Sequence, residues 1–441
     1  MVEFVFLHKN SLAYLDDYYA AFGSLDYLAK SHPGFYKPNC APFAVPDTAF
    51  VKEIRTLATD MSAGISQMYH DFFTSNDIKP TNRLQQIAKS VSSKYRHPVP
   101  SIVRLDVIPT TEGLRVVEVN CGNVGGACTF GVMEQFLVDH FNAKITPKHS
   151  LTCALDALLI QPPPRRVISV YDGISAKLFA HSRETRIKKR YGTIDVKSIG
   201  LHLFATQKLN YPKTSFYLDL SVGNLLNKKN GKALRSFFSK EAGLFSTSPI
   251  YDRFFSSKAL ITRLSKRLPK ALNVRWNKWM INTQILNYKH SKSIQEKDIH
   301  YNYPIILKPS IGSCGENIKI LTSFNQTQKH LSSSIIKHWV VQPFKSTVSA
   351  CIPNTTGTIA LNPVYGVFLI REGDKLVYKG TSIRYSQDKI VNLGRQGELG
   401  LLIEPEWEVD IQKLKAIAQK ELVDLPQASG KSCYTTSYGI S

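Results

Sequence analysis

A pair of predicted strands early in the chain constrains the fold most strongly, because it carries three oxygen-bearing side chains, Asp106, Glu118 and Asn120. Val116 to Asn120 has the pattern of a strand, so the side chains of Glu118 and Asn120 project from one face. The turn residues Thr110 to Gly113 connect this strand to a preceding one, which returns Asp106 toward Glu118. Two carboxylates and an amide oxygen then converge, which is a donor set that Mg²⁺ prefers. The alternative is an edge hairpin whose polar face is only solvated.

The composition is that of a globular protein. Of 441 residues, 43% are hydrophobic and 20% are charged, which excludes a disordered or fibrous chain. No apolar run approaches the roughly 18 residues that cross a bilayer, and the first residues lack the pattern of a signal peptide. The seven cysteines are scattered without a C-x-x-C pair, as expected of free thiols in a reducing compartment and not of a structural zinc site. We therefore predict a soluble cytoplasmic protein with no membrane partner.

The chain is strongly basic. Lysine and arginine outnumber aspartate and glutamate by 56 to 34, a formal net charge of +22 that attracts nucleotides, acidic peptides or nucleic acids. Local basic clusters lie at Arg183 to Arg190, Asn227 to Lys232 and Arg263 to Lys270. Aromatic residues do not alternate with these clusters, and no zinc-finger, RRM or helix-turn-helix signature accompanies them. We interpret the clusters as a solvated basic surface rather than as a nucleic-acid-binding site.

A second group of polar residues lies in the last third of the chain, between two apolar strands. The first of these strands ends at Lys308, and the loop that follows contains Gly312, Ser313, Cys314 and Gly315. Glycines let backbone N–H groups approach phosphates closely, and a lysine at the edge of the loop adds positive charge. Neither the Walker A pattern nor G-x-G-x-x-G is present. The alternative is an ordinary β-hairpin with two glycines in its turn.

A further predicted strand, Trp339 to Phe344, follows about twenty residues after this glycine-containing hairpin. An adenine could form hydrogen bonds with its exposed backbone. The alternative is an ordinary buried strand, and the position of the segment after the glycine loop is what favours the first interpretation.

Together, the order of these segments resembles the ATP-grasp superfamily, in which two α+β subdomains hold ATP between them. More specifically, it resembles the circularly permuted branch containing the synthetase domain of glutathionylspermidine synthetase, where the metal-binding strands precede the glycine loop. The resemblance covers Ser101 to Gly397 and is poorest from Leu151 to Pro249. The chain departs from the family where Ser313 and Cys314 replace an arginine and a glutamate, and the sequence includes no amidase domain.

The resemblance implies a set of site residues. Asp106, Glu118 and Asn120 would be magnesium ligands, and Lys258, in a Ser-Lys-Ala-Leu helix start, would bind phosphates together with Lys308. The remaining implied positions are Gly312, Ser313, Cys314, Gly315, Gln342 and Pro343 at the nucleotide and Arg384 at the acyl site.

The resemblance implies an ATP-dependent ligase that joins a carboxylate to an amine through an acyl phosphate, with ATP and Mg²⁺ required and ADP and phosphate released. Lys308 and Arg384 would be its catalytic residues. Such catalysis relies on positioning and electrostatics, which fits the absence of a serine or cysteine triad signature. Two alternatives remain: a kinase that uses the same site, and a basic nucleic-acid- or partner-binding protein on a degenerate ATP-grasp scaffold.

The predicted fold class is α+β (mixed α/β). Apolar residues at helical spacing predict helices over about Ser11 to Lys30, Asp47 to Phe73 and Thr81 to Tyr95, and a βαβ unit is predicted from Arg166 to Ile199. We divide the chain into a mainly helical region (1–100), the metal-binding hairpin and helix (101–150), a small α/β substrate-side subdomain (151–250), the nucleotide-binding subdomains (251–425) and a mobile tail (426–441).

Overall fold

The fold is of mixed α/β class, as predicted, and the described residues form three sheets with helices packed against them. The computed structural model describes residues 2–8, 40–81, 83–90, 96–122, 127–160, 166–171, 174–206, 214–219, 244–247, 250–287, 295–311, 317–332, 334, 338–354, 357–386 and 398–418. Within these ranges, no helix is both long enough and apolar enough to cross a bilayer.

The regular elements have the following bounds. The α-helices are α1 Thr48–Thr74, α2 Arg83–Ser90, α3 Ala127–Phe141, α4 Leu151–Ile160, α5 Ile174–Arg190, α6 Leu201–Thr206, α7 Lys258–Ser265, α8 Lys270–Trp279, α9 Phe324–Ser332 and α10 Ile411–Ala418. The strands are β1 Val2–His8, β2 Cys40–Pro46, β3 Ile102–Thr110, β4 Gly113–Cys121, β5 Arg166–Tyr171, β6 Asp195–Gly200, β7 Thr214–Asp219, β8 Leu244–Thr247, β9 Gln284–Asn287, β10 Ile305–Pro309, β11 Lys319–Leu321, β12 His338–Pro343, β13 Ala350–Asn354, β14 Gly357–Glu372, β15 Lys375–Ser386 and β16 Glu398–Leu402.

The largest sheet has the order β1-β2-β16-β15-β14-β3-β4, with β13 paired to β14. Alternate residues of β14 point to opposite faces of this sheet. Val367 and Leu369 join the core that contains the apolar face of α1, whereas Phe368 and Ile370 join the core formed by α3 and α4. The sheet is therefore covered by helices on both faces.

Helix α1 begins where Asp47 accepts a hydrogen bond from the backbone N–H of Phe50 at 2.8 Å, which satisfies a donor at the helix N-terminus. Its buried positions recur at helical spacing, from Ile54 to Phe72, and pack on β14 and β15. The helix predicted over Asp47 to Phe73 is thus confirmed.

The first hundred residues also contain β1 and β2, which the sequence analysis did not predict. The two strands pair with each other, and β2 adds in parallel to β16, from the far end of the chain. The pairing of β2 with β16 leaves little signal in the local sequence, because β16 lies hundreds of residues away. The helix predicted over Ser11 to Lys30 lies outside the described residues.

The second sheet is parallel, with the order β6-β5-β7-β8, and α5 connects β5 to β6. The predicted βαβ unit is therefore confirmed. Its core contains Val167, Val196 and Tyr217 from the sheet and Ile187 from α5.

The third sheet is antiparallel, with the order β11-β10-β12-β9. Leu307 of β10 and Val341 of β12 lie opposite each other and point into a separate core. Lys308 and Gln342, one residue further along each strand, therefore project from the other face of this sheet. That face meets β4 of the large sheet, and the candidate site lies where the two sheets meet.

Candidate functional site

Four polar side chains share one face of the β3–β4 hairpin. Arg104 lies opposite Asn120, and Asp106 lies opposite Glu118, in the antiparallel register of these strands. Directly opposite residues and alternate residues along a strand share a face, so the hairpin presents all four side chains together. The predicted hairpin is confirmed, with the turn where the sequence indicates it.

Asp106 is held by two guanidinium groups. Arg104 Nε lies 2.7 Å from Asp106 Oδ1, and Arg384 Nη2 approaches the same oxygen at 2.8 Å. Asn120 Nδ2 donates to the other carboxylate oxygen at 3.4 Å. Burial raises the pKa of Asp106, but the charges of Arg104 and Arg384 outweigh it and lower this pKa to about 2. The carboxylate is therefore ionised across the physiological range.

A β-bulge in β4 connects the large sheet to the antiparallel sheet. The register shifts between Asp106 and Val107, and Val117 is left without a partner residue on β3. The Val117 carbonyl oxygen instead accepts hydrogen bonds from Lys308 Nζ and from Gln342 Nε2, both at 3.3 Å. The bulge thus brings the two residues predicted on the nucleotide side next to the hairpin that carries Glu118.

Helix α7 contributes the remaining cation. Its N-cap residue Ser257 accepts from the backbone N–H of Leu260, and the N–H of Lys258 donates to the Ser310 carbonyl oxygen at 2.9 Å. These bonds fix the helix start beside the end of β10. From there, Lys258 Nζ reaches Glu118 Oε1 at 3.1 Å.

The cluster carries more positive than negative charge. Burial lowers the pKa of Lys308 to about 8, with Lys258 adding to this effect and Glu118 and Asp106 opposing it. Lys308 is therefore still mostly protonated near pH 7. Four cations then face two carboxylates, a formal excess of 4 − 2 = +2, from Arg104, Lys258, Lys308 and Arg384 against Asp106 and Glu118. Such an excess of positive charge attracts a polyanion, for example a nucleoside triphosphate.

The predicted magnesium ligands fit a hard cation in donor type, because Asp106, Glu118 and Asn120 offer two carboxylates and an amide on one face. Both carboxylates already contact cationic side chains, so a metal ion would compete with them. In the described part of the chain, no three His, Cys, Asp or Glu residues cluster as metal ligands. The donor set therefore depends on Asn120 and on oxygens supplied by a bound ligand.

A cavity of about 930 Å³ lies beside the cationic cluster, next to the first turn of α7 and the edge strand β9. Its volume is within the range of small-molecule sites, roughly 300–1,000 Å³. Lys258 and Lys308 do not line it, but their near neighbours Ser257 and Ser310 do, with side-chain oxygens 3.3 Å apart. The cavity and the cluster are therefore adjacent and are separated by the start of α7.

The structure brings together most of the predicted site residues. The loop residues Gly312, Ser313, Cys314 and Gly315 lie outside the described residues. Pro343 ends β12 opposite Ile305, at the other end of the antiparallel sheet from the loop.

The sequence analysis did not assign Arg104, Ser257, Ser310 or Thr283 to the site. Arg104 could have been found, because a residue two positions before Asp106 on a strand shares its face. Ser257 is the first residue of the Ser-Lys-Ala-Leu helix start, whereas its contact with Ser310 and the position of Thr283 left no sequence signal. Ser257 and Ser310 meet across 53 residues, and Thr283 accepts from Gln342 Nε2 at 2.9 Å across 59 residues.

No protein-family model matches this chain, and no curated protein matches it significantly. Among solved structures, it is similar to the apo form of a glutathione synthetase-like effector from Globodera pallida, with 11% identity and a TM-score of 0.50, over 89% of this chain and 97% of that chain. A gamma-glutamylcysteine synthetase-like protein from Methylobacillus flagellatus shows 11% identity and a TM-score of 0.43, over 81% of this chain and 88% of that one. D-alanine–D-alanine ligase from Bacillus anthracis, complexed with ATP, shows 10% identity and a TM-score of 0.28, over 53% and 85%. The chain therefore shares the mixed α/β fold of the glutathione synthetase-like effector.

Proposed function

We propose that the protein is an ATP-dependent ligase that joins a carboxylate to an amine. The observation that carries this proposal is the cluster in which four cations surround two carboxylates between the two sheets. The fold shared with a glutathione synthetase-like effector supports the same class of reaction. The permuted order of the ATP-grasp segments and the cytoplasmic location stay predictions from the sequence.

In this proposal, Lys258 and Lys308 neutralise the β- and γ-phosphates of ATP. The amides of the loop from Gly312 to Gly315 would add hydrogen bonds to the phosphates, and β12 up to Gln342 and Pro343 would contact the adenine. Asp106, Glu118 and Asn120 would hold one or two Mg²⁺ ions, which supply positive charge to the transferring phosphoryl group.

The reaction proceeds in two displacements. A substrate carboxylate oxygen attacks the γ-phosphorus, the bond to the β-phosphate oxygen breaks, and ADP leaves. The amine nitrogen then attacks the acyl carbon, the bond to the phosphate oxygen breaks, and the nitrogen loses a proton. Arg384, whose planar guanidinium lies beside Asp106, would orient the carboxylate of the substrate and stabilise the acyl phosphate. Positioning and charge therefore supply the catalysis.

The test has two stages. Thermal unfolding with and without Mg-ATP measures nucleotide binding, because a ligand that binds only the folded state raises its stability. We expect Mg-ATP to stabilise the wild type and the control Lys329→Ala, which removes an exposed lysine of α9, but not Lys308→Ala. ADP release is then measured with pooled carboxylates and amines, and with each pool omitted.

The ligase predicts ADP release that needs both pools and yields an amide. Release that needs one pool and yields a phosphorylated product would identify the kinase alternative. Glu118→Gln tests the metal assignment, and we expect it to shift the Mg²⁺ concentration needed for half-maximal stabilisation by ATP. A Mg²⁺ titration identical to that of the wild type would remove Glu118 from the metal site.

A further inference from the structure

The helical hairpin of α7 and α8 lies within a stretch of the chain that has no acidic residue. Between Asp252 and Glu296 there are ten lysines or arginines and no aspartate or glutamate. The ten are Arg253, Lys258, Arg263, Lys266, Arg267, Lys270, Arg275, Lys278, Lys289 and Lys292. This one segment therefore carries a formal charge of +10 out of the net +22 of the chain.

Two of these cations line the cavity of about 930 Å³. Arg263 in the last turn of α7 and Lys266, the C-cap residue of this helix, are three residues apart, a spacing that places side chains on the same side of a helix. Among the described residues that line the cavity, none is acidic, whereas buried hydroxyl groups of Ser257, Ser310 and Thr283 lie on its wall. The cavity thus combines positive charge with hydrogen-bonding groups, which is the chemistry that recognises an anion.

Two neighbouring cations that do not line the cavity are paired with acidic residues. Arg267 pairs with Asp77 at 2.7 Å, and Arg275 lies 3.7 Å from Asp60. In contrast, Arg263 Nη2 donates to the neutral hydroxyl of Thr81 at 3.0 Å, and Lys266 has no acidic partner in the part of the chain that the structure describes. The two cavity cations therefore keep their charge for a ligand.

We propose that this cavity binds an acidic, peptide-sized substrate with at least two carboxylates, one held by Arg263 and Lys266 and another extended toward Lys258. Calling this ligand a substrate rests on the proposed function, because Lys258 begins the same helix and contacts Glu118 of the cationic cluster. ATP is assigned to that cluster, so the cavity takes the molecule that ATP activates. The basic α7 segment thus selects acidic substrates.

The test measures binding of triglutamate, with triglutamine as a neutral probe of the same size, by calorimetry at low salt. The cavity variant is Arg263→Gln/Lys266→Gln. The matched control is Lys270→Gln/Lys278→Gln, which removes the same charge from exposed positions of α8 outside the cavity. We expect triglutamate to bind the wild type and the control alike and to bind the cavity variant at least about tenfold more weakly, as loss of charge-assisted hydrogen bonds predicts.

Mg-ATP stabilisation, measured in parallel, separates this inference from the proposed function. If Mg-ATP fails to stabilise any of the proteins but triglutamate still distinguishes the cavity variant, the acidic-ligand site stands and the ligase proposal fails. Equal triglutamate binding by all three proteins would overturn the inference. Loss of Mg-ATP stabilisation in the cavity variant would also overturn it, because the cavity would then belong to the nucleotide. Binding of a DNA duplex, weakened equally in both variants and without triglutamate binding, would instead identify a nucleic-acid surface.

Discussion

Two buried aspartates, one in the candidate site and one under α1, differ in the groups that surround them and therefore in their ionisation. Asp106 and Asp252 are 8% and 0% exposed. Asp106 meets the guanidinium groups of Arg104 and Arg384, whereas Asp252 accepts from neutral donors, the Tyr69 hydroxyl at 2.5 Å and the Ser101 N–H at 2.8 Å.

The partners decide the charge of each group. The arginines lower the pKa of Asp106 to about 2 in spite of burial, whereas burial dominates at Asp252 and raises its pKa to about 6. Burial alone therefore does not determine whether an aspartate of this protein is ionised. A carboxylate kept ionised by neighbouring cations can bind a metal ion or exchange its partners for a ligand, whereas Asp252 serves to connect α1 to the start of β3.

The largest effect is expected from Asp106→Ala. This change leaves Arg104 and Arg384, both only slightly exposed, close together without the carboxylate of Asp106, so the free energy of unfolding should fall by about 3–5 kcal/mol. Urea denaturation measures the fall. The double variant Asp106→Ala/Arg384→Met should recover part of it, because one unpaired guanidinium is gone. A fall below about 1 kcal/mol would mean that the pairs behave like exposed salt bridges, and the contrast with Asp252 would disappear.

A pH dependence is expected from Asp252. Its pKa is about 6 in the folded protein against an ordinary 3.8, so between these values the folded state holds more protons than the unfolded chain. Stability from this group is therefore fully present below pH 3.8 and is lost as the pH rises toward 6, by about 3 kcal/mol in total.

Asp252→Asn, which cannot titrate, should remove this fall. The measurement is the difference in unfolding free energy between wild type and variant at several pH values from 4 to 7. The contributions of the other titrating groups are the same in both proteins and cancel in that difference. A difference independent of pH would show that Asp252 titrates as an ordinary exposed carboxyl. The contrast between Asp106 and Asp252 would then no longer hold.

Lys308→Met tests whether the excess of positive charge in the cluster lowers the free energy of unfolding when no ligand is bound. Lys308 is 4% exposed, and its pKa of about 8 means that folding disfavours its charged form. Replacing it with an apolar side chain of similar length should raise the free energy of unfolding by about 1–3 kcal/mol near pH 7. The gain should shrink as the pH rises from about 8 to 10.5, because in this range the folded wild type has released the lysine proton while the unfolded chain still binds it, which raises wild-type stability.

The exposed control Lys329→Met should change stability by less than about 0.5 kcal/mol. A loss of stability in Lys308→Met would mean that its bond to the Val117 carbonyl outweighs the cost of burying the charge. The site would then resemble the Asp252 region, in which polar groups serve packing.

The sequence predicts the local parts of this site well. Alternation along a strand places Glu118 and Asn120 on one face, and the turn after β3 brings Asp106 opposite Glu118. Helix α1 and the βαβ unit of the parallel sheet were predictable for the same reason, since both follow from sequence patterns within a short window.

The parts that the sequence does not predict depend on distant residues. The bulge at Val117 has no local signal, yet it provides the carbonyl that Lys308 contacts across 191 residues. Arg384 reaches Asp106 only because β14, between them in the sheet, pairs with both β3 and β15. The pKa values of the two aspartates follow from such contacts, so the sequence alone could not distinguish them.

The smallest effect is expected from Gly366→Ala, in the strand beside Asp106. A Cβ at Gly366 would lie 2.5 Å from Ser382 Oγ and 3.1 Å from Arg104 Cδ, so both side chains must shift. Since the serine hydroxyl can rotate away, we expect a loss of only about 1 kcal/mol, at the low end for overpacking. Displacing Arg104 should nevertheless loosen Asp106 and reduce stabilisation by Mg-ATP.

Gly373→Ala is the control. Its positive φ of 60° makes an alanine there strain the backbone, but no atom lies within 4 Å of the new Cβ, so stabilisation by Mg-ATP should be unchanged. Equal responses to Mg-ATP in both variants would show that Arg104 does not position Asp106, leaving Arg384 as the residue that sets it apart from Asp252.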